Sequence, residues 1–125
     1  SIKDICDRFP YWFCKNYQKY MENEPALPFD QHFLLAAVAP RKVYVASAAE
    51  DLWADPDSEY LACVAASEVY RKLGRAGFVH PDRLPEAGDR FHDGDIGYHL
   101  RKGQHYFSRE DWLHFIEYVR KHFPG

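Results

Sequence analysis

The chain has 125 residues, a length that fits one domain or part of a larger one. A net charge of −3 and a charged fraction of 28% provide no basic surface that would indicate a nucleic-acid partner or an anionic membrane. Hydrophobic residues make up 46% of the chain, enough for a packed core, but no apolar run approaches the roughly 18 residues that cross a bilayer.

The chain contains three cysteines, Cys6, Cys14 and Cys63. The separation of the first two suits neither a C-x-x-C redox motif nor a usual zinc site. We therefore expect buried thiols, with a Cys6–Cys14 disulfide as the alternative in an exported protein. The chain begins at Ser1 without a signal peptide, either because a leader was removed or because it is a piece of a longer chain, and we expect the second.

Residues 1–27 are rich in aromatic side chains, whose spacing fits neither the helical nor the strand period. Prolines within this segment predict short helical pieces and loops. Asp30 is then predicted to open a short apolar helix over residues 31–39, which Pro40 stops.

Residues 42–47, KVYVAS, predict a strand that is buried on both faces, as in a parallel sheet. An acidic loop follows, and residues 57–74 then predict a helix. Asp57 or Ser58 can cap its first turn, and Gly74 stands where a C-cap glycine is expected. The side chains expected near one buried face of this helix are Leu61, Val64, Ala65 and Leu73.

Residues 75–95 have a loop-like composition, and residues 96–101, IGYHLR, predict a second strand. A turn leads to a last helix that begins at Ser108, with Asp111 as its capping-box partner. Strands that alternate with helices indicate an α/β sandwich with a parallel sheet, of which two strands are only a part. The predicted buried stripe of the last helix consists of Trp112, Phe115, Ile116 and Val119.

Titratable side chains follow both predicted strands, at the end of the sheet where active groups collect in open α/β folds. The first loop carries Glu50, Asp51 and Asp55, and the second carries His105. An acid followed by a histidine is the second half of the α/β-hydrolase order Ser…Asp/Glu…His. The alternative is a solvated acidic loop and a surface histidine. Because the chain contains no G-x-S-x-G motif, we expect the nucleophilic serine in an upstream segment.

Nearly the whole chain resembles the C-terminal part of glucuronoyl esterases, the fifteenth family of carbohydrate esterases, and its bacterial branch in particular. The motifs that carry the resemblance are PFDQH, APR before the first strand, EDLWADP after it, and the GQH turn near the end. The resemblance implies an α/β-hydrolase fold, in which residues 1–125 form the C-terminal segment of a single catalytic domain. That domain is a three-layer sandwich with a mostly parallel sheet.

The family cleaves 4-O-methyl-glucuronoyl esters between xylan and lignin alcohols as a serine esterase, without metal or cofactor. The resemblance therefore implies a glucuronoxylan or lignin–carbohydrate ester as the substrate, and a secreted or periplasmic location in a bacterium. It also implies that the isolated chain is inactive, because the serine lies upstream.

The resemblance places the catalytic histidine at His105 and the catalytic acid at Asp51. Glu50 and Asp55 are the alternative acids, and Asp55, which precedes Pro56, is equally expected as a turn or cap residue. His99 is the competing histidine, but it lies within the second strand, where its side chain can point into packing.

Trp53 corresponds to a tryptophan that helps to bind the uronate in this family, because an indole packs on a sugar ring and donates its N–H. A core tryptophan is the alternative. His32 is expected to pack or bond behind the site, and His114 and His122 are expected to face solvent.

Two other functions remain open at this point. The same fold and residues would serve an acetyl xylan esterase, which the relative rates on acetyl and glucuronoyl esters would identify. The chain would otherwise be a non-catalytic remnant whose aromatic and acidic side chains bind carbohydrate without turnover.

Overall fold

A computed structural model describes residues 1–27 and 32–125 of the chain. The contacts between residues divide it into two units, Ser1–Asp30 and Gln31–Gly125. The predicted helix start at Asp30 lies outside the described residues. In the part of the chain that the structure describes, no helix has the length and apolar character that a membrane span requires.

The first unit consists of short helical pieces, as its prolines predict. Helix α1 spans Ile2–Arg8, helix α2 spans Lys15–Gln18, and a 3-10 turn covers Glu24–Ala26. The hydroxyl of Ser1 accepts a hydrogen bond from the backbone of Asp4, and the Asp4 side chain caps the N-terminus in return.

All three cysteines lie within the described residues and carry free thiols. Cys6 and Cys63 are buried, as predicted, and the Cys6–Cys14 disulfide is not formed. The prediction of a buried thiol is wrong for Cys14, which is exposed at the N-cap of the four-residue helix α2.

The second unit alternates helices and strands. Its elements are α3 (His32–Ala36), β1 (Val43–Ala48), α4 (Pro56–Lys72), β2 (Arg90–Phe91), β3 (Ile96–Arg101) and α5 (Arg109–His122). The two predicted strands are confirmed, but β2 was missed because two residues are too short to show a period. Helix α3 is shorter than predicted, since the chain turns between Ala37 and Pro40.

The described residues form a three-stranded sheet in the order β1-β3-β2. β1 and β3 run parallel, from Val43 opposite Ile96 to Ala48 opposite Arg101. β2 joins the other side of β3 in the antiparallel sense, so the sheet is mixed.

Strand β3 lies between the two long helices, and its side chains alternate between them. Ile96, Tyr98 and Leu100 belong to the apolar core with α4. On the opposite face, His99 and Arg101 reach Asp111 of α5. All six residues of β3 are buried, so both of its faces are covered.

The buried face of α4 differs from the prediction. Leu61 and Leu73 are 52% and 55% exposed, whereas the helix buries Tyr60, Cys63 and Tyr70. Burial of a tyrosine ring is favourable when the hydroxyl has a partner, and the Tyr70 hydroxyl donates to the Arg41 carbonyl at 2.6 Å.

The start of α4 also differs from the prediction. The N-cap is Asp55, which was also expected as a turn or cap residue, rather than Asp57 or Ser58, and its carboxylate accepts a hydrogen bond from the Ser58 amide. Pro56 occupies the first helical position, where its missing N–H costs no hydrogen bond. The predicted cap of α5 is confirmed, since Ser108 and Asp111 form a reciprocal capping box.

The predicted stripe of α5 and the predicted double burial of β1 are wrong within the described residues. Trp112, Phe115 and Ile116 are 53%, 38% and 40% exposed, and Ala46 of β1 is exposed. The physical reason is that β1 lies at one edge of the sheet, where β3 is its neighbour on one side. The apolar side chains of β1 and α5 line one shallow cavity at this edge.

Replacing Gly97 of β3 by Ala is expected to lower the free energy of unfolding by about 1–3 kcal/mol, as overpacking does. An added Cβ would stand 2.6 Å from the rings of Tyr118 and Tyr44. Urea denaturation of the variant and the parent measures the change. Gly125→Ala is the control, because its Cβ meets nothing within 4 Å, and equal midpoints for all three proteins would contradict the packing described.

Candidate active site

The loops after β1 and β3 both leave from the carboxyl ends of the strands, on the same side of the sheet, because these strands are parallel. They are joined by backbone hydrogen bonds as soon as the strands end. The Ala49 amide donates to the Arg101 carbonyl at 2.9 Å, and the Glu50 amide donates to the Gly103 carbonyl at 3.0 Å. The acidic loop and the histidine turn therefore form one connected piece of backbone.

Asp51 and His105 meet across these loops. The distance between Nδ1 of His105 and Oδ2 of Asp51 is 2.5 Å, so the predicted contact is confirmed. The Asp51 side chain is 10% exposed, and the His105 side chain is 85% exposed. In a neutral imidazole, this contact requires the proton on Nδ1 and leaves Nε2 free to accept another proton.

The carboxylate of Asp51 is oriented by its own loop. Its Oδ1 accepts a hydrogen bond from the Ala54 amide at 3.2 Å, while Oδ2 faces the imidazole. The Asp51 amide donates to the Ala48 carbonyl at 3.1 Å, which folds the loop back onto the end of β1. The Ala54 amide thus fixes Oδ1 of the carboxylate, and Oδ2 accepts the hydrogen bond from His105.

A cavity of about 220 Å³ opens beside this pair. The end of β1, the start of α4 and the turn after β3 all contribute to its wall. Its lining includes Ser47, Asp51, Glu59, Arg101, His105 and Tyr106.

Glu59 is another carboxylate in this cavity, and it was not predicted from the sequence. Burial raises the pKa of its carboxyl above the ordinary value, and the charges of Asp51 and Asp55 raise it further. The Ser47 hydroxyl and His105 lower this pKa, but their effect is smaller than the sum of the others. A signal was present in the sequence, because Glu59 lies four residues after the acid at the N-cap of α4. Side chains of a helix lean toward its N-terminus, which aims this one at the acidic loop.

The two alternative acids have other surroundings. Asp55 binds Ser58 with both oxygens, to the amide at 3.3 Å and to the hydroxyl at 2.6 Å. These hydrogen bonds hold the pKa of the Asp55 carboxyl below its ordinary value. Glu50 is exposed, and its backbone rather than its side chain ties the loops together. Of the three acids, Asp51 is the one that the fold brings to His105.

His99 is buried in packing, as predicted. Its Nδ1 lies 2.8 Å from the Tyr44 hydroxyl, and its Nε2 lies 2.7 Å from Oδ1 of Asp111. Burial lowers the pKa of the imidazole, which keeps the ring neutral. The histidine with a carboxylate at the open cavity is therefore His105.

The prediction that His114 and His122 face solvent is wrong. Both are half-buried, because α5 packs its inner side on the sheet. The His114 ring lies 4.5 Å from the His99 ring, and His122 binds the His92 carbonyl at 2.6 Å. His32 is half-buried.

Trp53 lies two residues after Asp51 and is 56% exposed. Within the part of the chain that the structure describes, it is therefore not a core tryptophan. A metal site was not expected from the sequence. Within residues 1–27 and 32–125, no cluster of three or more His, Cys, Asp or Glu side chains is arranged to hold a metal ion.

Replacing Glu59 by Gln is expected to raise the free energy of unfolding near neutral pH. Because the pKa of Glu59 is raised in the folded state, the parent loses stability as pH rises through that pKa. The neutral amide of glutamine does not titrate, so the variant does not lose this stability. The gain is expected to vanish below pH 4.5, the ordinary pKa of the carboxyl, where both side chains are neutral. Urea midpoints across this pH range measure the difference. Glu86→Gln, at an exposed position, is the control, and a pH-independent effect of the Glu59 change would contradict the buried carboxyl.

Comparison with known proteins places the chain in a family. A family model described as "Glucuronyl esterase, fungi" matches residues 2–74. A carbohydrate esterase from an unknown prokaryotic organism is 42% identical over 125 residues, which is 100% of this chain and 28% of that protein. A 4-O-methyl-glucuronoyl methylesterase of Cerrena unicolor is 37% identical over 65 residues, 52% of this chain and 14% of that protein.

Solved structures give the same result. The structure of a promiscuous CE15 esterase from a marine bacterial metagenome has a TM-score of 0.92 and 42% identity, covering 98% of this chain and 30% of that one. A glucuronoyl esterase from Solibacter usitatus has a TM-score of 0.86 and 36% identity, covering 97% of this chain and 30% of that one.

The chain therefore spans less than a third of the length of these relatives, with 28% of the prokaryotic esterase and 30% of each solved chain covered. The matched region is a C-terminal fragment of them. Since the family model matches more than half of the chain, and the expectation from the sequence motifs agrees with it, the chain belongs to the glucuronoyl esterase family.

Proposed function

We propose that this chain supplies the acid and the histidine of a serine esterase that cleaves 4-O-methyl-glucuronoyl esters between xylan and lignin alcohols. The observation that carries the proposal is the hydrogen bond between Asp51 and His105 at the carboxyl ends of two parallel strands. Membership of the glucuronoyl esterase family supports ester hydrolysis as the reaction.

In the proposed mechanism His105 acts as the general base. Its Nε2 takes the proton of the serine hydroxyl as the serine attacks the ester carbonyl, and later returns a proton to the leaving alcohol. Asp51 keeps the other ring nitrogen protonated and stabilises the imidazolium that forms. Water then hydrolyses the acyl-enzyme by the same route, and the uronic acid is released. No metal or organic cofactor takes part in these steps.

Residues 1–125 are, in this proposal, the C-terminal segment of a single α/β-hydrolase domain whose upstream segment carries the serine. The parallel edge strand β1 and the exposed apolar side chains of α5 support this, because further strands of the same sheet would cover them. Helices on both faces of β3 fit one edge of a three-layer sandwich with a mostly parallel sheet.

Trp53 is proposed to pack on the uronate ring. It is exposed and lies on the same loop as Asp51, two residues after it, and an exposed indole ring can pack on a sugar. A substrate that is part of the plant cell wall does not enter cells. We therefore infer that the intact protein works in a secreted or periplasmic location.

Acetylated xylan is a second candidate substrate. The related solved enzyme is described as promiscuous, and the proposed machinery would attack an acetyl ester by the same steps. A non-catalytic remnant that binds carbohydrate is the alternative of a different class.

Activity is best tested in a hybrid enzyme, which joins the part of the prokaryotic relative upstream of the matched region to this chain. His105→Ala is expected to lower kcat/KM for a methyl ester of 4-O-methyl-glucuronic acid by about 10³-fold or more, because the general base is lost. Gln104→Ala, an exposed position on the same turn, is the matched control and is expected to keep the parental rate within an order of magnitude.

An unchanged rate in His105→Ala would refute the assignment. Rates on acetylated xylan in the same hybrid identify the preferred ester. A hybrid that binds glucuronoxylan oligosaccharides but hydrolyses neither ester would favour the non-catalytic remnant.

A further inference from the structure

Arg101, the last residue of β3, places a permanent positive charge in the interior, with 3% of its surface exposed. Its Nε donates to both carboxylate oxygens of Asp111, over 3.0 and 2.9 Å. Asp111 also forms the capping box with Ser108 and binds His99. The ion pair is therefore anchored in a strand on one side and in a helix on the other.

The remaining guanidinium nitrogens reach the turn that carries His105. Nη1 donates to the Lys102 carbonyl at 3.0 Å, and Nη2 donates to the carbonyls of Gln104, at 2.9 Å, and Tyr106. The guanidinium carbon lies 4.5 Å from the centre of the Tyr106 ring. One side chain thus binds the backbone on both sides of the histidine.

The conformation of this turn decides where the imidazole lies, because the His105 side chain is 85% exposed and little packing fixes it. Its partner Asp51 stands on the other loop, which is joined to the turn by the Glu50 amide and the Gly103 carbonyl. A shift of the turn would separate the imidazole from the carboxylate and misalign it with the serine.

We propose that Arg101, with Asp111 as its counter-ion, is a positioning residue that holds the turn 102–106 so that His105 meets Asp51. The catalytic consequence rests on the proposed function, whereas the effect on the turn does not. Lysine cannot replace Arg101, since a single ammonium lacks the planar set of donors that reaches the carboxylate and the carbonyls at once.

Amide hydrogen exchange in Arg101→Lys tests the effect on the turn in the chain itself. The Tyr106 amide donates within the turn and the Glu50 amide donates to it, so both report on its conformation. We expect both to exchange at least about tenfold faster, while the interior amides of α5 keep their rates. Arg109→Lys, an exposed arginine at the start of α5, is the matched control and is expected to change neither. Unchanged exchange in Arg101→Lys would overturn the inference.

Kinetics of the hybrid enzyme separate positioning from general stability. Arg101→Lys is expected to lower kcat by about 10- to 100-fold with KM nearly unchanged, because misplacement of a catalytic group affects the chemical step. An unchanged kcat would overturn the inference. A parental hybrid without esterase activity would refute the proposed function alone, since hydrogen exchange still decides the role of Arg101.

A measurement on the parent protein decides the case if Arg101→Lys does not fold. A guanidinium that donates to fixed carbonyls rotates slowly about its Nε–Cζ bond, so Arg101 is expected to show separate NMR signals for Nη1 and Nη2. Arg109, which is exposed, is the internal comparison. A single averaged signal from Arg101 would show a freely rotating group and overturn the inference.

Discussion

The parallel pairing of β1 with β3 is the constraint on which the site depends. Its register sets Ala48 opposite Arg101, so the acidic loop and the histidine turn begin side by side. This brings Asp51 and His105 together over a sequence separation of 54 residues. A slip of one residue would turn the alternating side chains of β3 to the wrong helices and expose part of the core. The chemistry of the site is therefore fixed by the same interaction that builds the sheet.

A layer of buried polar side chains between the sheet and α5 supports this arrangement. The Tyr44 hydroxyl lies 2.8 Å from both His92 and His99, and His99 shares Asp111 with Arg101. Burial lowers the pKa of His92 to about 4 and also lowers the pKa of His99, so both rings are neutral near pH 7. A buried ion pair seldom adds much net stability. The consequence of the pair between Arg101 and Asp111 is therefore the fixed orientation of the turn 102–106.

Local signals in the sequence predicted much of this structure, including the bounds of β3 and the Ser108 cap. The rule for strand ends predicted that an acid of the first loop would lie near His105, and the family resemblance selected Asp51 among the three acids. The buried faces were less predictable, because a count of aliphatic residues undervalues tyrosines such as Tyr70, whose hydroxyl finds a partner. Arg101 was missed because a charged residue is expected in solvent until its partners are known. The buried stripe predicted for α5 was wrong because a helical period identifies an apolar face but not what covers it, and Trp112 and Phe115 are exposed among the described residues.

The tautomer of His105 tests the central claim most directly, and ¹⁵N NMR of the imidazole measures it. We predict that the neutral ring carries its proton on Nδ1, and that Asp51→Asn disturbs this preference while Glu50→Gln does not, because the carboxylate of Asp51 accepts a hydrogen bond from the Nδ1–H group. A neutral ring protonated mainly on Nε2, or an Nδ1 tautomer that is indifferent to Asp51→Asn, would contradict the account.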